Sequence, residues 1–336
     1  MIYVVIAFLW VALGMYVIFG GADFGAGIVE LFTKKEFKEK TQKIMYNSIG
    51  PVWEANHMWL IISIVILFVG FPIIYATLSE FLHIPLVIML LGIIARGTSF
   101  TFRNYDVIKD KWHNLYSYIF TLSSLITPFF LGIIAASTVS GSIDPEVTNF
   151  LDAYIFSWLT WFNVTVGIFT ISICGFLASI YSIYSANDIL EKDYLRSLAR
   201  KFSFAIFLTG GLVFVVSFWK DIPLTKWIFT NWMGYFAVSL ATLSILVLNI
   251  FIQLKYDIFI RVIAGFIVLM ILFAVSYSHF PNLLIFKNGT AISLFQTDYS
   301  PATINMLGWA LLLGSIFILP FLFYLFYSFN KKTKYS

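Results

Sequence analysis

An all-α integral membrane protein of nine transmembrane helices is the fold this sequence predicts, and three observations predict it. Only 11% of the 336 residues are charged, 60% are hydrophobic, and the mean hydropathy is +0.90. Soluble domains carry about 25% charged residues, so a water-soluble fold is excluded. Apolar runs of the length that crosses a bilayer as a helix, about 20 residues, recur along the chain with short polar links between them. The third observation is charge alternation. Of the 21 Lys and Arg, 17 fall in one set of alternate links and three (Lys220, Lys226, Lys287) in the other, with Arg96 left inside a span. Positive residues collect on the cytoplasmic side. The N-terminus is therefore expected outside and the C-terminus in the cytoplasm, which requires an odd number of spans.

In order, the first span is expected over residues 2–32. It lacks the basic start of a cleaved signal peptide and is kept as a span. A lysine-rich link follows, with Lys34, Lys35, Lys38, Lys40 and Lys43. Span two covers 47–76, span three 83–102, and span four 115–136, with Arg103, Lys109 and Lys111 in the link between the last two. An acidic loop with Asp144, Glu146 and Asp152 leads to span five at 154–181. Residues 187–201 read as a charged link, and spans six, seven and eight as 201–218, 235–252 and 259–277. The longest loop outside the membrane, 278–303, holds Pro281, Pro301 and the turn pair Asn288-Gly289. Span nine is 305–329, and Lys331, Lys332 and Lys334 close the chain on the inner side. Nothing marks a domain boundary, so residues 1–336 form one polytopic membrane domain. No internal repeat is evident; the even spacing admits two four-helix bundles and other arrangements as well.

Three charged residues lie within apolar runs: Asp23, Glu54 and Arg96. Each costs about 2.5–3.5 kcal/mol at mid-bilayer on insertion scales and so needs a partner or a wet cavity. Asp23 precedes Lys34 by as many residues as Glu54 follows Lys43. At about 1.5 Å per residue both lie about 16 Å from the inner ends of their spans, a shared level. Arg96 is within a long side chain's reach of that level. On span one, Tyr16, Gly20, Asp23, Gly27 and Glu30 share a face whose glycines admit a second helix closely. On span two, Asn47, Gly50, Pro51, Glu54, His57 and Met58 share one side, bounded by Trp53 and Trp59. A lipid-facing surface does not look like this. Asp23 and Arg96 suit a structural ion pair; Asp23 and Glu54 suit a route for protons; Arg96 also suits snorkelling toward the inner surface.

Other chemistries find less support. Glu54-x-x-His57 is half of a di-iron carboxylate motif; the other pair at that spacing, Glu80-x-x-His83, stands at a span end, and such a site needs two further carboxylates within the membrane. Haem ligation needs axial groups on facing helices, and His57 is the one imidazole deep within a run, while His83, His113 and His279 lie at span ends or in loops. The lone Cys174 excludes an intrachain disulfide and a thiolate metal cluster. Phosphate loops, nucleophile triads and dinucleotide fingerprints are absent. The dispersed basic residues give no reason to expect nucleic acid.

Gly21-Ala-Asp-Phe-Gly-Ala-Gly27, then Asn47-Ser-Ile-Gly-Pro-Val-Trp-Glu-Ala-Asn-His-Met-Trp-Leu-Ile61, with Arg96 after a glycine in span three, resembles subunit II of the cytochrome bd-type quinol oxidases. The resemblance implies a multi-pass protein of the bacterial cell membrane, with two four-helix bundles and one peripheral helix. It implies a homologous subunit I holding the quinol site and the haems, b and d or b only, with none ligated by this chain. A small single-span accessory subunit and membrane lipid are further partners it allows. The complex would oxidise quinol and reduce dioxygen to water with protons from the cytoplasm. Glu54 matches the family's proton-delivering acid, Asp23 the aspartate of the first helix and Arg96 the arginine of the third. Trp53 matches the tryptophan beside the acid, and Trp59 one near a dioxygen route. The stripe with Trp53, Asn56 and His57 would face subunit I; position 57 varies, being Gln in some members. The competing reading is a stand-alone proton-coupled transporter or channel, which would need broken helices in symmetric positions. A purely structural scaffold is the third.

Overall fold

The computed structural model describes residues 1–50, 52–105, 111–295 and 300–332, so Pro51, Lys109 and Lys334 of the sequence reading lie outside the described residues. The first span is one helix in three parts: α1 (Ile2–Met15), a π-helical turn (Tyr16–Gly20) and α2 (Gly21–Phe32). There follow α3 (Lys38–Ile49), α4 (Trp53–Gly70), α5 (Pro72–Phe81), α6 (His83–Tyr105) and α7 (Lys111–Val139). The second half comprises α8 (Phe150–Tyr154), α9 (Trp161–Ser182), α10 (Ile189–Trp219), α11 (Leu224–Phe229), α12 (Trp232–Leu254) and α13 (Asp257–His279). A hairpin of β1 (Asn282–Ile285) and β2 (Ala291–Ser293) precedes α14 (Pro301–Lys332). Among the described residues nine helical spans are long and apolar enough to cross a membrane, counting α1 and α2 as one.

Five boundaries differ from the sequence reading. Span two does not run unbroken over 47–76. Its start is interrupted where Val52 leaves helical backbone (φ −127°, ψ −2°), which separates α3 from α4. Its end is interrupted at Phe71 (φ −134°, ψ 61°), because Pro72 has no N–H to give and crowds the residue before it. Residues 187–201 are not a link: α10 begins at Ile189, with the Asp188 carboxylate accepting from Leu190 N–H at 3.3 Å. Glu, Lys, Arg and Leu are good helix formers, and a charged turn extends the helix past the apolar run. Span five starts later than expected, at Trp161, where the Thr160 hydroxyl accepts from Asn163 N–H at 3.2 Å. Arg103 is not a link residue but belongs to α6 and is buried. The turn at Asn288-Gly289 is present, with Gly289 at φ +82° and the Asn288 side chain accepting from Thr290 N–H at 3.0 Å.

Packing centres on α9, the most enclosed span, which lies against α2, α7, α10 and α13. At Gly25 a Cβ would come within 1.9 Å of the Cys174 carbonyl oxygen, and at Gly27 within 2.3 Å of Ser124 Oγ. Helix α2 is thereby wedged between α9 and α7, with backbone against backbone. Upstream of the π turn the partners change: α1 lies against α4 and α14, around Val5, Leu9, Ile66 and Phe71. At the lysine-rich end, Arg196 of α10 holds Asp193 at 2.7 Å and Asp257 of α13 at 2.8 Å, which ties the second set of helices together. Helix α14 is the least buried span.

Candidate functional site: a buried charge ladder

Asp23, two residues before Gly25 on α2, is fully buried, so its charge needs an immediate answer. Arg96 of α6 supplies it. Its Nη1 donates to Oδ2 at 2.7 Å, and its Nη2 donates to Oδ1 at 2.8 Å and to the Asp23 carbonyl at 2.7 Å. The guanidinium carbon also lies 5.1 Å from the Phe120 ring centre and 5.4 Å from that of Phe24. Arginine does not snorkel here, because a planar fork in bidentate contact keeps it at depth. The charges cancel, and the net stabilisation is small because both were desolvated; removing one partner alone costs about 3–5 kcal/mol.

Seven residues further along each helix the arrangement repeats. Glu30 and Arg103 are both buried, with Nη1 donating to Oε2 at 2.7 Å and Nη2 to Oε1 at 3.1 Å. The Arg103 guanidinium lies 4.2 Å from the centre of the same Phe120 ring. Gln42 of α3 donates to Glu30 Oε2 at 3.4 Å. Two rungs, about 10.5 Å apart along the helices, thus join α2 to α6. Sequence reading placed Glu30 on the right face but missed its partner. The signal was available: seven residues separate Asp23 from Glu30 and likewise Arg96 from Arg103.

His57 of α4 adds a third group to the upper rung, with Nε2 at 3.4 Å from Asp23 Oδ2. Its ring is surrounded by those of Phe24 (5.8 Å between centres), Trp53 (6.3 Å) and Tyr16 (6.5 Å). Trp53 also covers Gly97, next to Arg96, and packs on Phe100. Three buried polar atoms at this place have no hydrogen-bond partner among the described residues: His57 Nδ1, the Tyr16 hydroxyl and Arg96 Nε.

The expected stripe on span two divides in two. Asn47 lies in the last turn of α3 and Glu54 in the first turn of α4, and the break between them means they share no helix face. Within α4, Asn56 and Trp59 turn inward and are buried, at 5% and 8% exposure, so Asn56 is not free to meet a neighbouring subunit. Trp59 clusters with Tyr16, Phe24 and Ala12. Glu54 is on the exposed side with Met58 and Ile61, and makes no hydrogen bond or ion pair among the described residues. The depth of Glu54 reckoned from Lys43 fails with the broken helix. The contact of His57 with Asp23 restores a level by another route, since Glu54 is one turn, about 4.5 Å, from His57. As an acid in the first turn of α4, it also lies at the favourable end of the helix dipole.

A match to the family model described as cytochrome bd terminal oxidase subunit II covers residues 1–329. The chain belongs to that family. Cytochrome bd ubiquinol oxidase subunit 2 of Bacillus subtilis is 24% identical over 325 residues, 94% of this chain and 92% of that protein. Cytochrome bd-I ubiquinol oxidase subunit 2 of Escherichia coli is 24% identical over 245 residues, 70% of this chain and 63% of that protein. The fold is similar to that of the bd oxidase from Geobacillus thermodenitrificans, with a TM-score of 0.71 at 19% identity over 96% of this chain and 98% of that one. This subunit II is accordingly a bacterial membrane protein and a component of a haem-containing terminal oxidase of the respiratory chain.

Its described residues do not fit a haem of their own. The Nε2 of His57 is turned to Asp23, His279 is buried edge-on to Trp227 at 4.6 Å between ring centres, and Cys174 is enclosed in the α9 core. Burial makes His279 the more enclosed imidazole, contrary to its place at a span end in the sequence reading. No three of His, Cys, Asp and Glu gather as metal ligands among the described residues.

Proposed function

We propose that this subunit II supports a haem-bearing subunit I in oxidising quinol and reducing dioxygen to water, and that Glu54 hands protons from this chain to that partner. The partner would hold the quinol site and haem b with haem d, or haem b alone. The observation that carries the reading is Glu54 itself: a carboxylate at the start of a membrane span, exposed on the surface of this chain and without a partner among its described residues. An exposed charge in hydrocarbon is costly. A second polypeptide seated on α4 gives Glu54 a polar surrounding and an acceptor, and dioxygen reduction consumes protons there. With the lysine-rich links inside, protons enter from the cytoplasm and the hairpin lies outside. The exposed α14 suits the peripheral helix beside two four-helix bundles. Trp59, buried beside the upper rung, marks the side of α4 from which dioxygen would approach.

Asp23 takes a smaller part than the sequence suggested. With both carboxylate oxygens held by Arg96 it serves to lock α2 to α6. The test is Glu54→Gln in the intact complex. Quinol-driven oxygen consumption is expected to fall about a hundredfold, with the haem absorbance and subunit ratio unchanged. Turnover at the wild-type rate would overturn the reading.

A further inference from the structure

Arg261 of α13 stands at the lysine-rich end of the helices, four residues after Asp257 and so about 6 Å into its span. It is half-buried, and the end of α9 with the turn after it holds the guanidinium in place. Its Nη2 donates to the Tyr181 carbonyl oxygen at 3.4 Å. Its guanidinium carbon lies 4.9 Å from the centre of the Tyr184 ring and 5.7 Å from that of Tyr181. A guanidinium laid over an aromatic face keeps the N–H groups of its edge for an oxyanion.

The carboxylates nearby are already engaged. Asp257, one turn before Arg261 on the same helix, accepts from Arg196 with both oxygens, at 2.8 and 2.9 Å. Asp193 holds Arg196 at 2.7 Å and Lys255 at 3.2 Å, and Glu191 has Lys40 at 3.7 Å. Among the described residues Arg261 has no acid within 4 Å, and a half-buried cation needs one. Its unbonded N–H groups are also open to the outside of the chain: the Nε atoms of Arg96 and Arg196 are buried without a partner, whereas no nitrogen of Arg261 is.

We propose that Arg261 binds the phosphate of an acidic phospholipid, seated where the end of α9 meets the first turns of α13. Headgroup phosphate is the anion found at this depth, and basic sites between helices on the inner side of a membrane take acidic lipids. Two N–H groups of a guanidinium match two phosphate oxygens, and the single charges cancel. A zwitterionic headgroup brings its own cation and gains less. Ile258 and Val262 of the same helix, 70% and 69% exposed, lie to either side of Arg261 and give acyl chains an apolar bed that a free phosphate would not use.

The test uses the purified intact complex, stripped of lipid in a neutral detergent. Phosphatidylglycerol is expected to raise its melting temperature and to stay bound in native mass spectra. Arg261→Gln is expected to need about tenfold more of this lipid for the same rise. An unchanged response in Arg261→Gln overturns the site. An equal rise with phosphatidylcholine shows general solvation by lipid and overturns the preference for an acidic one. An equal rise with inorganic phosphate shows a free anion and overturns the lipid. A measurement on the wild type stands even if Arg261→Gln does not assemble. Phosphatidylglycerol carrying a photoreactive diazirine is expected to label the segments 181–184 and 258–262, and labelling confined to other segments overturns the proposal.

Discussion

Each rung of the ladder is a pair of charges whose worth lies in being complete. Asp23→Asn leaves Arg96, 1% exposed, without its counter-charge in the core of the bundle. The expected cost is about 3–5 kcal/mol, seen as a lower melting temperature and poor recovery of assembled complex. The fraction that does assemble should keep most of its turnover, in contrast to Glu54→Gln. Recovery and rate per haem, measured together, check both halves of this expectation. Asp23, Glu54 and Arg96 were legible in the sequence because a charge in an apolar run is rare and costly. Arg103 was not, because it stands at the end of its run, where charge is the rule. The direction of a side chain was not legible either. Asn56 and Glu54 are two residues apart on one helix, and only packing shows that one turns in and the other out.

At the scale of helices, close approach is set by residues that have no side chain to move. Gly25→Ala would place a methyl 1.9 Å from the Cys174 carbonyl oxygen, on a backbone that cannot yield without parting α2 from α9. Loss of folded complex is expected, measured as the ratio of assembled to total chain in membranes. Alanine at Gly289, where no atom lies within 4 Å, meets only its positive φ and should be mild by comparison. Spans were legible because hydropathy needs only composition over a window. Their ends were less so, since hydropathy runs straight through Gly70-Phe71-Pro72 whereas the backbone does not. The π turn left no trace in the sequence: Tyr16 to Gly20 contains no proline and reads as ordinary helix.

For the whole molecule, the asymmetry of lysine and arginine sets the expected orientation, and labelling tests it. Cys174 is the one cysteine and is buried, so a Cys174→Ser background offers a clean start. A cysteine at Asn288, in the hairpin turn, should react with an impermeant reagent applied to intact cells. One at Lys192, at the start of α10, should react only after the membrane is opened; the reverse pattern overturns the topology. The π turn reaches furthest at this scale. It divides the first span between two neighbourhoods, α1 with α4 and α14, α2 with α7 and α9. A π turn takes up one residue more than an α turn, so deleting one between Tyr16 and Gly20 would close it to ordinary helix with α1 and α2 still facing their own partners, whereas adding a residue to the regular helix on either side would turn one neighbourhood by about 100° against the other. The spacing from Leu9 to Asp23 therefore has slack in one direction alone, as a ratchet does: it gives up a residue more readily than it takes one in.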